Sequence, residues 1–277
     1  MQRCRLTFAL IAILASGAHA AKDSCFDCHS VMEGTSIVFK DDVHFHNTIS
    51  CAGCHGGDPR EDDQNISMSA ERGFKVRVTR QQTPAYCGHC HSDTNYMHQF
   101  KPQPGEDLLA LYLSSVHGRM LAAGRTKSAE CVDCHGVHNI RVVSDPLSPA
   151  NPQHVTETCA RCHAETADAF RKSPHARMFN TAKMPGCTAC HSSHATAPAG
   201  DDMLAGGNAV SAQCHDAGSD ADKAAAEMAS LLAGLENAGP ASKEALARAR
   251  AAAHTCDIAA VRRAAESTVA SPEAGRK

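Results

Sequence analysis

The chain has no tryptophan, and only three tyrosines and eight phenylalanines among 277 residues. A chain of this length ordinarily buries large aliphatic and aromatic side chains in one or two cores. Here the hydrophobic fraction of 43% rests heavily on alanine and cysteine. Too few bulky side chains are present for a broad conventional core, so something other than side chains has to fill the interior. Strand patterning is also scarce, and "FKVRV" at 74–78 is the one short stretch that reads as a strand. A basic surface for nucleic acid is missing, since Lys and Arg number 27 against 30 acidic residues.

Long apolar runs are absent after the first twenty residues. Those twenty read as a secretory signal peptide: Arg3 and Arg5, then "LTFALIAILA", then the small-residue cleavage pattern "AHA" at 18–20. The apolar run is too short to span a bilayer comfortably. The expected mature protein is therefore exported, periplasmic or otherwise, and not an integral membrane protein. Losing Arg3 and Arg5 takes the formal charge from −3 to −5.

Cysteine and histidine are abundant, at fifteen and eighteen residues. Twelve of the cysteines form six copies of C-x-x-C-H: Cys25, Cys28, His29; Cys51, Cys54, His55; Cys87, Cys90, His91; Cys131, Cys134, His135; Cys159, Cys162, His163; and Cys187, Cys190, His191. C-x-x-C-H is the attachment sequence of c-type haem. Two thiols three positions apart add to the two vinyl groups on one porphyrin edge, and the adjacent histidine meets the iron. Disulfides or zinc ribbons would use the cysteines but would not require a histidine after every second one. Six flat apolar rings also supply the missing interior.

The motifs come in pairs. "SVHGRM" leads into "CVDCHGVH" and "SPHARM" into "CTACHSSH", while "DVHFHNTISCAGCH" is a shorter version. The expected organisation is a signal peptide (1–20), a first doubled unit with its linker (21–80), a second (81–148), a third (149–206), and a degenerate site with a helical tail (207–277). Internal repetition at this scale implies a stacked array. Short helices are expected through the motifs and around "GEDLLALYLSSVHG". In the tail, Met228, Leu231, Leu232 and Leu235 share one helical face, as do Leu246, Ala249 and Ala253, with a break at Gly239 and Pro240. That pattern predicts a helical hairpin. The fold class is mostly α and irregular, short helices and loops around stacked haems.

A haem iron with one histidine takes a sixth ligand or keeps an open position. His44, His117 and His175 hold equivalent places upstream of a motif, and His138 and His194 end C-x-x-C-H-x-x-H. These five are the leading second ligands. His254 in the tail is a further candidate, and His46, His98 and His154 are weaker ones. Met120 and Met178 are expected to pack against porphyrin. Bis-histidine ligation favours low potential.

With "SVHGRM…CVDCHGVH", "SPHARM…CTACHSSH" and "VHFHNTISCAGCHGGDP", the chain resembles the exported multihaem cytochromes c with doubled motifs, the cytochrome c3-like proteins. The resemblance spans roughly 22–216. It implies a periplasmic electron carrier in anaerobic respiration, passing electrons from a membrane quinol-oxidising cytochrome to a terminal reductase or an outer-membrane conduit. The first unit departs from the pattern, having no histidine three residues after His55. Two alternatives stand beside the carrier: a multihaem reductase of a small nitrogen or sulfur oxyanion, and a subunit of a haem filament. The reductase reading would be favoured by a C-x-x-C-K variant, and the sequence has none.

"VSAQCH" at 210–215 places Ser211 where a first cysteine would stand before Cys214 and His215. Three readings stay open. A seventh haem is held by one thioether at Cys214, with His215 and His254 on the iron; or Cys214 pairs with Cys256; or Cys214, His215, His254 and Cys256 hold zinc. The six intact motifs generate a first prediction. The matured protein, weighed under denaturing conditions, exceeds its polypeptide mass by at least six haems, and a mass equal to the bare chain would overturn the reading.

Overall fold

The computed structural model describes residues 23–266 apart from 33, 101–104, 199, 201, 202 and 206–208. The expected signal peptide lies outside the described residues. Sixteen α-helices run through the described chain, most of one or two turns, and no strand occurs among the described residues. "FKVRV" is irregular. Its Lys75 nevertheless pairs with His55, donating its N–H to the His55 carbonyl at 2.7 Å, so the segment is extended against a motif without sheet partners.

The first unit holds α1 (Ser24–His29), α2 (Val43–His46), α3 (Cys51–His55) and α4 (Gln64–Ser67). The second holds α5 (Thr83–His91), α6 (Thr94–Met97), α7 (Leu108–Ser114), α8 (Val116–Ala122) and α9 (Cys131–His135). The third holds α10 (Val155–Ala160), α11 (Ala164–Arg171), α12 (Pro174–Ala182) and α13 (Thr188–His191). The short helices expected around "GEDLLALYLSSVHG" are α7 and α8, divided where Ser115 adopts an extended conformation and caps the second.

The first and second motifs of each unit leave their helices differently. After the second motifs, Gly56, Gly136 and Ser192 have φ of 69°, 83° and 66° with extended ψ, which turns the chain sharply away. At Gly56 a Cβ would lie 2.2 Å from the Gly73 carbonyl oxygen, so only glycine fits. After the first motifs, Ser30 and Ser92 stay in the right-handed helical region.

The tail comprises α14 (Asp220–Asn237), α15 (Lys243–Ala253) and α16 (Ile258–Glu266). The break at Gly239 and Pro240 is where the sequence placed it, and a further turn at 254–257 adds a third helix to the expected hairpin. Met228, Leu232, Ala249 and Val261 form a buried cluster, flanked by Leu204, Leu231, Leu235, Leu246 and Ala253. α15 also packs on α11, docking the tail against the third unit.

Between the motifs the chain encloses a continuous void of about 3380 Å³, lined by cysteines and histidines of all six intact motifs. An ordinary ligand pocket measures roughly 300–1,000 Å³. The side-chain core thus sits in the tail, and the motif region is built around space. Leu232→Ala should accordingly cost about 2–5 kcal/mol, lowering the guanidinium midpoint of the helical far-UV signal.

Candidate haem sites

The upstream histidines are set by helix caps. Asp42, Ser115 and Ser173 are buried N-caps whose side-chain oxygens accept from His44 N–H (2.8 Å), Gly118 N–H (2.9 Å) and Ala176 N–H (3.2 Å). Each cap fixes a histidine at the second helical position: His44, His117, His175. The first helical N–H is used too. Val43 donates to Ile140 O (2.7 Å) and Val116 to Thr196 O (2.9 Å). Both acceptors lie two residues past the terminal histidine of the following unit, His138 and His194. The third unit has Pro174 at this place, a residue with no N–H to donate.

Six pairs of imidazoles face one another. Ring centres are 6.0 Å apart for His55 and His138, 5.9 Å for His91 and His44, 6.0 Å for His135 and His194, 6.2 Å for His163 and His117, and 6.0 Å for His191 and His254. The sixth pair is His215 and His175, at 5.8 Å. Two imidazoles binding one metal at about 2 Å through the far ring nitrogen place their centres roughly 6 Å apart. Every pair joins one motif histidine to one non-motif histidine. His29 ends α1 and lines the void. The exposed His46, His98 and His154 join none of these pairs. Met120 and Met178 are 42% and 50% exposed and lie off the void, against the expectation that they pack on porphyrin.

The pairing follows a rule that the repeats had not revealed. The upstream histidine of one unit meets the first motif of the next unit: His44 with His91, His117 with His163, His175 with His215. The terminal histidine of one unit meets the second motif of the unit before: His138 with His55, His194 with His135. His254 supplies His191 in the same way from the tail. One of the three readings of the tail joins His254 to His215; in the structure His254 faces His191 and His175 faces His215. The missing histidine after His55 would have served a unit before the first.

Three of these twelve rings have an oxygen acceptor at the second nitrogen. His44 Nδ1 meets Asp42 Oδ1 (2.8 Å), His55 Nδ1 meets Lys75 O (2.9 Å), and His254 Nδ1 meets Arg250 O (2.9 Å). His138 Nδ1 is buried with no partner among the described residues. Such acceptors fix the tautomer and leave Nε2 for a metal. Burial first, and then the facing imidazole, push His91, His117, His135, His138, His175 and His191 below the ordinary histidine value. These rings are neutral at neutral pH, as ligation requires. Burial opposes ionisation of Asp42, but hydrogen bonds with His44 and the Ile140 N–H hold its carboxyl below the usual range.

Cysteines of successive motifs stand side by side in alternating fashion. Within units the first cysteines are neighbours: Cys25 by Cys51, Cys87 by Cys131, Cys159 by Cys187. Between units the contact runs from the second cysteine of the second motif: Cys54 by Cys87 and Cys90, Cys134 by Cys162, Cys190 by Cys214. Cys214 and Cys256 are free thiols. No cluster of three or more metal-binding side chains that could hold an ion occurs among the described residues. The disulfide and zinc readings of the tail therefore have no counterpart there.

Two family models match, cytochrome c3 over residues 43–145 and cytochrome c554 and c-prime over residues 158–239. The chain is a multihaem c-type cytochrome. No curated protein and no solved structure matches it. Similarity to these families implies covalently bound haem c. Six facing imidazole pairs, five of them lining the void beside the motif cysteines, fit that group; the His175–His215 pair lies outside the void.

Imidazole planes in the cytochrome fall into two sets. Pairs on second motifs are near parallel, at 28°, 5° and 19°, whereas pairs on first motifs are twisted, at 86°, 43° and 45°. Ligand-plane orientation sets the splitting of the iron d orbitals. Low-temperature EPR should thus resolve two classes of low-spin signal, and His44→Ala should convert one signal of the twisted class to high spin without changing the haem count. Loss of a near-parallel signal instead would contradict the pairing.

Proposed function

We propose that this electron-transfer cytochrome carries seven haems in one row that follows the sequence, each attached at its motif and six of them clamped between the histidine pairs above. The observation that carries the reading is the unbroken succession of neighbouring cysteines from Cys25 to Cys214, together with the His175–His215 pair at the same spacing as the five intact sites. Cys214 provides the single thioether of the seventh site. Its thiol adds across one vinyl group, the sulfur joining one carbon and the proton going to the other. Ser211 cannot do the same, and its hydroxyl instead donates to Leu204 O at 2.8 Å.

Bound haems exchange single electrons with one another. The chain's own contribution is to fix two imidazoles per iron, hold the motifs adjacent and exclude water. In this reading the protein is exported to the periplasm and works in anaerobic respiration. Its bis-histidine sites are low in potential. It takes electrons from a membrane quinol-oxidising cytochrome and delivers them to a terminal reductase or an outer-membrane conduit. No helix among the described residues is long and apolar enough to cross a membrane.

A denaturing mass measurement joined to a potentiometric titration tests the reading. The expected result is seven haems and seven electrons per chain, falling to six haems in Cys214→Ala. A parent count of six would sink the seventh site. A persistent high-spin iron that binds nitrite or sulfite would favour a reductase over a carrier.

A further inference from the structure

The turn between α15 and α16 serves two sites at once. His254, at its start, faces His191 of the sixth motif. Two residues on, Cys256 is held at φ 57°, in the left-handed region that few residues other than glycine adopt. Local hydrogen bonds brace that geometry: Thr255 Oγ1 donates to Ala252 O (2.7 Å), and Asp257 N–H donates back to Thr255 Oγ1 (3.2 Å). The result places Cys256 Sγ 3.1 Å from His175 Nδ1. His175 is the ring that faces His215.

We propose that Cys256 is the positioning residue of the seventh site, the acceptor that receives the His175 Nδ1–H and turns Nε2 toward the iron. The proposal rests on the seven-haem reading above. Its support is the pattern at the other sites. Asp42, Lys75 O and Arg250 O each bind the outer nitrogen of an iron-facing imidazole. His175 is served by a sulfur where the others have an oxygen. This gives Cys256 a place that neither a disulfide nor zinc requires, and it explains why the tail keeps a cysteine at a backbone position unfavourable to it. The hydrogen bond makes the imidazole a stronger donor to iron, which stabilises the oxidised state. Because the same turn carries His254, the tail orients ligands of two neighbouring sites through one short segment.

The matured holoprotein tests this with Cys256→Ala, Cys256→Ser and Cys214→Ala. The component absent from the EPR and redox titration of Cys214→Ala identifies the seventh haem. In Cys256→Ala the haem count stays at seven, that one component changes its low-spin signal, and its midpoint potential rises. Cys256→Ser, which keeps an acceptor, returns the signal toward the parent. The sixth-site component, identified separately with His254→Ala, does not move. Seven haems with an unaltered seventh component in Cys256→Ala would overturn the proposal. So would a Cys256 that resists alkylation in denatured parent protein, since it would then carry a thioether itself. A parent count of six would instead show that the seven-haem reading had failed, and the proposal with it.

Discussion

Each iron-facing pair of imidazoles is drawn from two different stretches of chain, and the rest of the structure depends on that reach. A motif alone supplies two sulfurs and one nitrogen. In the proposed reading the sixth ligand would come forward from the unit before or backward from the unit after. In that reading ligation would do the work that side-chain packing does elsewhere. The few buried hydrophobic residues outside the tail, such as Phe39, Leu121, Val155 and Phe179, fall far short of a continuous core. Units separated from one another would leave irons half-ligated and the void open to water, so holding the row together and binding the cofactor are one process.

Local chemistry makes this reach accurate. Three buried caps, Asp42, Ser115 and Ser173, set three histidines at the same helical position. Two backbone bonds then tie those helices to the next unit. Pro174 breaks the series at the third unit, where no fourth terminal segment exists to receive the bond. Ser211 ends the series of cysteines in the same region. By the alternation seen in the three complete units, its position would meet the first motif cysteine of an eighth site. The tail stands there instead, and the serine hydroxyl bonds to Leu204 O.

Much of this was legible in the sequence because the repeats are chemical. Six C-x-x-C-H motifs, the doubled units, the equivalent upstream histidines and the apolar faces around Leu232 and Ala249 could all be read directly. The partners of the histidines could not. Spacing along the chain says which histidines are equivalent, but not whether an equivalent set reaches forward or back. His254 illustrates the difficulty. It adjoins Cys256 in sequence and was matched to the nearest degenerate motif, whereas the fold carries it to His191 and leaves Cys256 against His175. The strand expected at 74–78 failed for a different reason. Lys75 bonds His55 through its main-chain N–H and carbonyl, and no second strand stands beside it among the described residues.

The forward-and-backward pairing makes the row indefinitely extensible. Each interior unit gives one histidine in each direction and receives one from each, so inserting or deleting a whole unit would leave every interior iron with two imidazoles. Only the ends would notice. A gene duplicating such a segment would thus produce a longer conductor without having to invent a ligand, and the helical tail, with its one histidine and one cysteine, is the kind of terminus that could close a row of any length.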